Sequence, residues 1–162
     1  MTKRISPFEI LTMAEQIEQR GADFYRDAAH NTNDERLRAL FLQLVDWELD
    51  HKKIFARMRQ EFLQERESKS NFDPARYVTS DPRKLRSMAE AAAPDQPPEN
   101  IATMTEKAQV LQLALGLEKR AIRFYKKLIE GTRNVHAKKR IKAILDEEAK
   151  HVDIITQALE QA

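Results

Sequence analysis

The sequence predicts an all-α protein, a four-helix bundle made of two repeated helical hairpins joined by a long crossover. Three observations predict it. First, 33 % of the 162 residues are charged and only three are glycine, and the chain is rich in Glu, Lys, Arg, Gln, Leu and Ala. That mixture favours long amphipathic helices over sheet. Second, apolar residues recur at spacings of three and four along four separate stretches, the period of a helix with one buried face. Third, the second half of the chain repeats the first at an offset of 100 residues. Leu11, Ala14, Glu18, Arg20, Phe24, Tyr25, Thr32, Asp46, Glu48, His51 and Ile54 meet identical residue types at 111, 114, 118, 120, 124, 125, 132, 146, 148, 151 and 154. The length suits a single domain over residues 1–162, with a core of useful size.

Composition removes several classes of function. The chain has no cysteine, which excludes disulfides, thiolate metal sites, iron–sulfur clusters and cysteine nucleophiles together. A net charge of +2 gives no reason to expect a nucleic-acid partner. No segment approaches the roughly 20 apolar residues of a membrane span, and the first ten residues lack the apolar run of a signal peptide. No membrane association and a cytoplasmic location are therefore expected. The basic cluster Arg133, Lys138, Lys139, Arg140 and Lys142 reads as a solvated helix face.

The first hairpin is expected over residues 7–65. Ser6-Pro7-Phe8-Glu9 combines an N-cap, a proline at the first helical position and a capping-box glutamate. The helix that follows to about His30 carries an apolar stripe of Leu11, Ala14, Gly21, Tyr25 and Ala28, flanked by Ile10, Ile17 and Phe24. Thr32-x-x-Glu35 repeats the capping box and opens a second helix to about Glu65, with Leu37, Leu40, Phe41, Leu44, Phe55, Met58 and Phe62 inward. Residues 66–103 hold five of the six prolines, namely Pro74, Pro82, Pro94, Pro97 and Pro98. This stretch reads as a crossover that carries the chain back along the bundle, with a short helix starting at Asp81-Pro82. The second hairpin is expected over residues 104–160. Thr103-x-x-Glu106 opens its first helix, with Val110, Leu111, Ala114, Leu117, Ala121, Phe124 and Leu128 inward and Gly131 as C-cap. Asn134 caps the last helix, which buries Ile141, Ile144, Leu145, Val152, Ile155 and Leu159.

Six polar residues interrupt these stripes where apolar ones belong: Glu18, Glu48, His51, Glu118, Glu148 and His151. Each Glu-x-x-His pair spans one helical turn, so both side chains leave one face. Burying carboxylates without a partner is very costly. Four of them with two imidazoles match what a four-helix bundle needs to hold two divalent cations. Carboxylate and imidazole without sulfur suit iron or manganese, and zinc less specifically. Such hard anionic ligands stabilise ferric iron, so oxidation by dioxygen or peroxide is the expected chemistry. Tyr25 and Tyr125 lie two turns beyond Glu18 and Glu118 on the same faces. Two readings stay open for them: catalytic residues that hydrogen-bond the ligands or transfer electrons and protons near the metals, or amphipathic core residues with the hydroxyl satisfied elsewhere. Trp47 reads as packing or interface. Arg20, Arg120, Asp46 and Asp146 read as interhelical ion pairs, and His30 and His136 as surface residues.

The combination Glu18…Phe24-Tyr25, Glu48-x-x-His51, Glu118…Phe124-Tyr125 and Glu148-x-x-His151 resembles the rubrerythrin branch of the ferritin-like superfamily, over roughly residues 10–65 and 104–160. The resemblance implies a ferritin-like bundle and two iron ions. It makes Glu48 and Glu148 the bridging ligands and Glu18 and Glu118 the terminal ones. It also implies peroxide reduction, or oxidation of ferrous iron by oxygen, in a homodimer. Rubrerythrins proper carry a four-cysteine rubredoxin domain. In this cysteine-free chain electrons are expected from ferrous iron itself or from an external donor. Rubrerythrins also place an additional glutamate one turn from the third-helix ligand, where this chain has Leu115 and Ala121 in the neighbouring turns. Its symmetric six-ligand set is closer to bacterioferritin and the short rubrerythrin-like proteins.

Overall fold

The first helix starts where the sequence places it. Ser6 Oγ accepts the Glu9 N–H at 3.2 Å, and the Glu9 carboxylate accepts the Ser6 N–H at 2.8 Å. This reciprocal box, with proline at the first helical position, satisfies donors that a helix otherwise leaves open. The computed structural model describes residues 5–68, 71–72, 74, 78–93 and 106–162, and five helices lie among them. They are α1 (Pro7–Asn31), α2 (Glu35–Ser68), α3 (Pro82–Ala92), α4 (Lys107–Gly131) and α5 (Val135–Glu160). α1 packs along α2, and α4 along α5, giving the two expected hairpins. No described helix is long and apolar enough to cross a membrane.

Local chemistry alters four of the expected boundaries. α2 is capped by Asp34, not Thr32. The Asp34 carboxylate accepts the N–H groups of Arg36 and Leu37 at 2.9 and 3.2 Å, while Thr32 Oγ1 accepts the Asp34 N–H at 3.2 Å and shapes the turn. An anionic cap at a helix N-terminus gains from the dipole as well as from its hydrogen bonds. α2 also runs three residues past Glu65, to Ser68. Gly131 is the last helical residue rather than a left-handed cap, and no described glycine has a positive φ. Its size answers a packing need. A Cβ at Gly131 would collide with Met88 Cε and come within 3.2 Å of Thr79 Cγ2. At the start of α4, Glu106 is the N-cap residue and makes no side-chain capping bond; Thr103 lies outside the described residues.

The crossover carries α3, capped by Asp81, whose side chain accepts the Arg83 N–H at 2.9 Å. Pro94, Pro97 and Pro98 lie outside the described residues. α3 rests on α4 and α1. The Arg20 guanidinium donates to the Ala92 carbonyl at 3.0 Å, and Lys127 Nζ donates to Ser87 Oγ at 2.7 Å. The crossover is also pinned at the far end of α4, where the Thr79 N–H donates to the Gly131 carbonyl at 2.6 Å. Arg20 therefore binds a backbone carbonyl across the bundle, not the expected acidic partner. Asp146 pairs within its own helix, with Lys142. Within the basic cluster, Arg140 makes a two-pronged pair with Glu61 of α2 at 2.9 and 3.2 Å.

The apolar core falls into two clusters. One holds Ile10, Leu11, Phe55, Met58, Phe124, Leu128, Ile141 and Ile144, with Leu85 and Met88 from α3. The other holds Ala22, Tyr25, Phe41, Leu44, Leu111 and Ile155. Along each long helix the switch from one cluster to the other comes where Glu18, Glu48 and His51, Glu118, or Glu148 and His151 stand. Six polar residues thus form a layer across the middle of an otherwise apolar bundle. Leu37, Leu40, Val110, Leu117, Leu145, Val152 and Leu159 are only half-buried, not fully inward. Leu40, Val110, Leu117, Leu145 and Val152 each adjoin a fully buried neighbour, and Leu37 and Leu159 lie near helix ends.

Candidate metal centre

All six residues of the polar layer are buried, none more than 4 % exposed. His51 Nδ1 lies 3.0 Å from Glu148 Oε1 and 3.6 Å from Glu18 Oε2. His151 Nδ1 lies 3.0 Å from Glu148 Oε2, 3.4 Å from Glu48 Oε1 and 3.7 Å from Glu118 Oε2. These atoms make two overlapping quartets, Glu18–Glu48–His51–Glu148 and Glu48–Glu118–Glu148–His151. Within each, one potential ligand atom per residue falls within 4.8 Å of all the others. Glu48 and Glu148 belong to both quartets, while Glu18 and Glu118 belong to one each. The geometry has the form of a dinuclear centre with two shared and two terminal carboxylates.

Two further observations test the fit to metal. Glu18 Oε2 and Glu48 Oε1 are buried and accept no hydrogen bond, which is costly for oxygen atoms facing only other carboxylates and imidazoles. Two divalent cations would satisfy both atoms and cancel four negative charges. Gly21, in the middle of α1, makes room for one of the shared ligands: a Cβ there would sit 3.0 Å from Glu48 Oε2. Glycine inside a helix costs about 1 kcal/mol relative to alanine, and the close approach of Glu48 accounts for it.

Electrostatics in the layer follow from crowded charge. Burial, reinforced by the charge of Glu148, raises the Glu18 carboxyl well above its usual range. Burial and the neighbouring carboxylates do the same to Glu48 and Glu118. Glu148 goes the other way, because hydrogen bonds to His151 and His51 outweigh its burial and hold it well below the usual carboxylate range. Burial alone would lower both histidines. Their bonds to the carboxylates prevail, pushing His51 up to about 9 and His151 up to about 12.

The tyrosines answer the question the sequence left open. Tyr25 OH donates to Glu118 Oε1, and Tyr125 OH donates to Glu18 Oε1. Each tyrosine crosses to the other hairpin and fixes one oxygen of a terminal glutamate, leaving that residue's Oε2 facing the histidines. Burial, together with the charge of Glu118 on Tyr25 and of Glu18 on Tyr125, raises both phenols well above 10, so they stay protonated donors. Phe41 stacks beside Tyr25 at 6.2 Å and Phe55 beside Tyr125 at 5.2 Å, so each ring is held by packing as well.

Two contacts were not legible in the sequence. The Trp47 indole stacks on the His151 ring, centroids 5.0 Å apart and planes 12° apart. Its repeat counterpart, Glu147, accepts a hydrogen bond from His51 Nε2 at 2.7 Å. The offset of 100 marks positions 47 and 147 as equivalent, but only the pairing of hairpins brings each against the other hairpin's histidine. His30 and His136 are exposed and lie outside the layer, as expected.

Four antiparallel helices crossed by a carboxylate–histidine layer define a ferritin-like di-metal carboxylate protein. The chain belongs to the rubrerythrin family, whose profile matches residues 9–159. It is similar over its whole length to a crystal structure from Thermotoga maritima described as a ferritin-like diiron-carboxylate protein. The two share 27 % identity and a TM-score of 0.67, over 99 % of this chain and 98 % of that one. A comparison with curated proteins finds no match.

Proposed function

We propose that this protein binds two iron ions and oxidises ferrous iron with peroxide or dioxygen, as a rubrerythrin-like peroxide reductase or ferroxidase. The observation that carries this reading is the pair of overlapping quartets, in which Glu48 and Glu148 are shared and each metal position receives one histidine. Glu18 and His51 would complete one position, Glu118 and His151 the other. Hard oxygen and imidazole donors without sulfur favour iron or manganese over softer metals. When bound, a redox-active pair would supply electrons one per metal to a two-electron oxidant.

The chain's own residues prepare that chemistry. Tyr25 and Tyr125 orient the terminal carboxylates and hold a proton one hydrogen bond from the site. The apolar clusters on either side exclude water from the layer. Leu115 and Ala121 flank Glu118 without adding a further carboxylate, which favours a fixed six-ligand set. The reductant is ferrous iron itself or an external donor, and the family resemblance carries the expectation of a homodimer, which sedimentation would test.

The test is anaerobic ferrous titration of the metal-free chain, then separate pulses of peroxide and of oxygen, followed by ferric absorbance. Two irons per chain, with peroxide reacting much faster than oxygen, support peroxide reduction. Fast oxygen consumption with uptake beyond two irons supports ferroxidase and storage instead. Tyr25→Phe and Tyr125→Phe are expected to keep two irons while slowing the oxidation step. Unchanged stoichiometry in Glu48→Ala and Glu148→Ala would overturn the dinuclear assignment.

A further inference from the structure

The six ligand candidates obey the internal repeat, but the residue before each Glu-x-x-His pair does not. Position 147 is glutamate and its counterpart at position 47 is tryptophan. Both side chains reach across to the other hairpin's histidine. Glu147 takes the Nε2–H of His51 at 2.7 Å, and Trp47 covers the ring of His151. The Glu147 side chain is 51 % exposed, whereas the His51 side chain is 2 % exposed. One buried imidazole is therefore tied to a carboxylate at the surface, and the other lies under an indole.

This difference bears directly on metal binding. A carboxylate that accepts the outer N–H of a ligand histidine fixes the tautomer, keeps the inner lone pair aimed at the metal and strengthens the ring as a donor. His51 has that support, with Nδ1 turned toward Glu18 and Glu148. At His151 the same role in the repeat falls to an indole face, which packs against the ring and accepts no such bond. Stacking holds the orientation of His151 without settling which nitrogen carries the proton.

We propose that Glu147 and Trp47 make the two metal positions unequal, so that the Glu18–His51 position fills first and the Glu118–His151 position second. Glu147 is the positioning residue that sets this order. The inference rests on the dinuclear reading of the site.

The test is anomalous diffraction from crystals of the metal-free full chain soaked with cobalt(II) at one equivalent and at saturation. At one equivalent the density beside His51 is expected to exceed that beside His151 severalfold, and at saturation the two should match. Glu147→Gln should abolish the preference and weaken the tighter step of a cobalt titration by roughly tenfold or more, the usual scale for losing an outer partner of a ligand histidine. Trp47→Glu should install the missing carboxylate beside His151 and equalise the two positions from the other direction. Equal occupancy in the native chain, or a Glu147→Gln variant that keeps the preference, overturns the proposal while leaving the dinuclear reading intact. Saturation that places no metal at either position overturns both.

Discussion

At the scale of single residues, the polar layer shows how one small side chain can serve a ligand. Gly21 lies in a helix interior, where alanine would add about 1 kcal/mol of helix stability. Its counterpart in the repeat is Ala121, so nothing in the helix itself demands glycine. The demand comes from Glu48, whose carboxylate oxygen would lie only 3.0 Å from a Cβ there. Gly21→Ala is therefore expected to leave the Tm of the metal-free chain unchanged or raised, while weakening metal binding about tenfold by displacing a shared ligand. Calorimetric titration beside a thermal melt checks both halves. A stabilised variant with native metal affinity would show that the close approach to Glu48 has no consequence.

At the scale of elements, the helices are delimited by caps and held in register by a few crossing contacts. α5 begins at Asn134, whose side chain accepts the Ala137 N–H at 2.9 Å. Asn134→Ala removes that acceptor and should cost about 1 kcal/mol, a fall in Tm of about 2–4 °C for a domain of this size. Iron stoichiometry should not change, because Glu148 and His151 lie about four to five turns further along the helix. A melt and a ferrous titration of the same sample separate the two effects. The caps also mark how far local sequence could be read. Ser6, Asp81 and Asn134 act where the sequence puts them. Asp34 displaces Thr32 because a nearby carboxylate is the better acceptor for the first N–H groups of α2, and Gly131 leaves room for the side chain of Met88, which is 43 residues away in the chain.

At the scale of the whole molecule, the buried layer ties stability to pH in opposite senses with and without metal. Glu18, Glu48 and Glu118 hold protons in the folded metal-free chain above 4.5, where free glutamate releases them. His51 stays charged between its ordinary 6.5 and about 9. In both cases the folded state binds more protons than the unfolded one, so stability falls as pH rises. The contribution of His51 is complete below 6.5 and is lost as pH passes about 9. Glu148, held low, has the reverse sign, and its contribution is present above 4.5 and lost below that. The Tm of the metal-free chain should therefore decline from about pH 5 toward pH 9. Metal binding must expel these protons, so apparent affinity should rise over the same range. Thermal melts across pH, with and without cobalt, read both trends. A metal-free Tm that climbs from pH 6 to pH 9 would contradict the proton-filled layer.

The sequence by itself determined the helices, their inward faces, the repeat and the identity of the six buried polar residues. These depend on periodicity and on the cost of placing carboxylates on an apolar stripe, both of which are local properties of the chain. The half-site was legible for the same reason, since Glu-x-x-His is one turn of one helix and its copy lies 100 residues on. Only the tertiary structure decided what crosses between the hairpins. Tyr25 reaches Glu118 and Tyr125 reaches Glu18, Glu147 reaches His51, and Trp47 covers His151. Each of these contacts joins residues about 90–110 positions apart, and no helical period encodes which face meets which. The repeat made the two halves look alike, and the packing of one half on the other is where a single unmatched pair, Trp47 and Glu147, sets them apart.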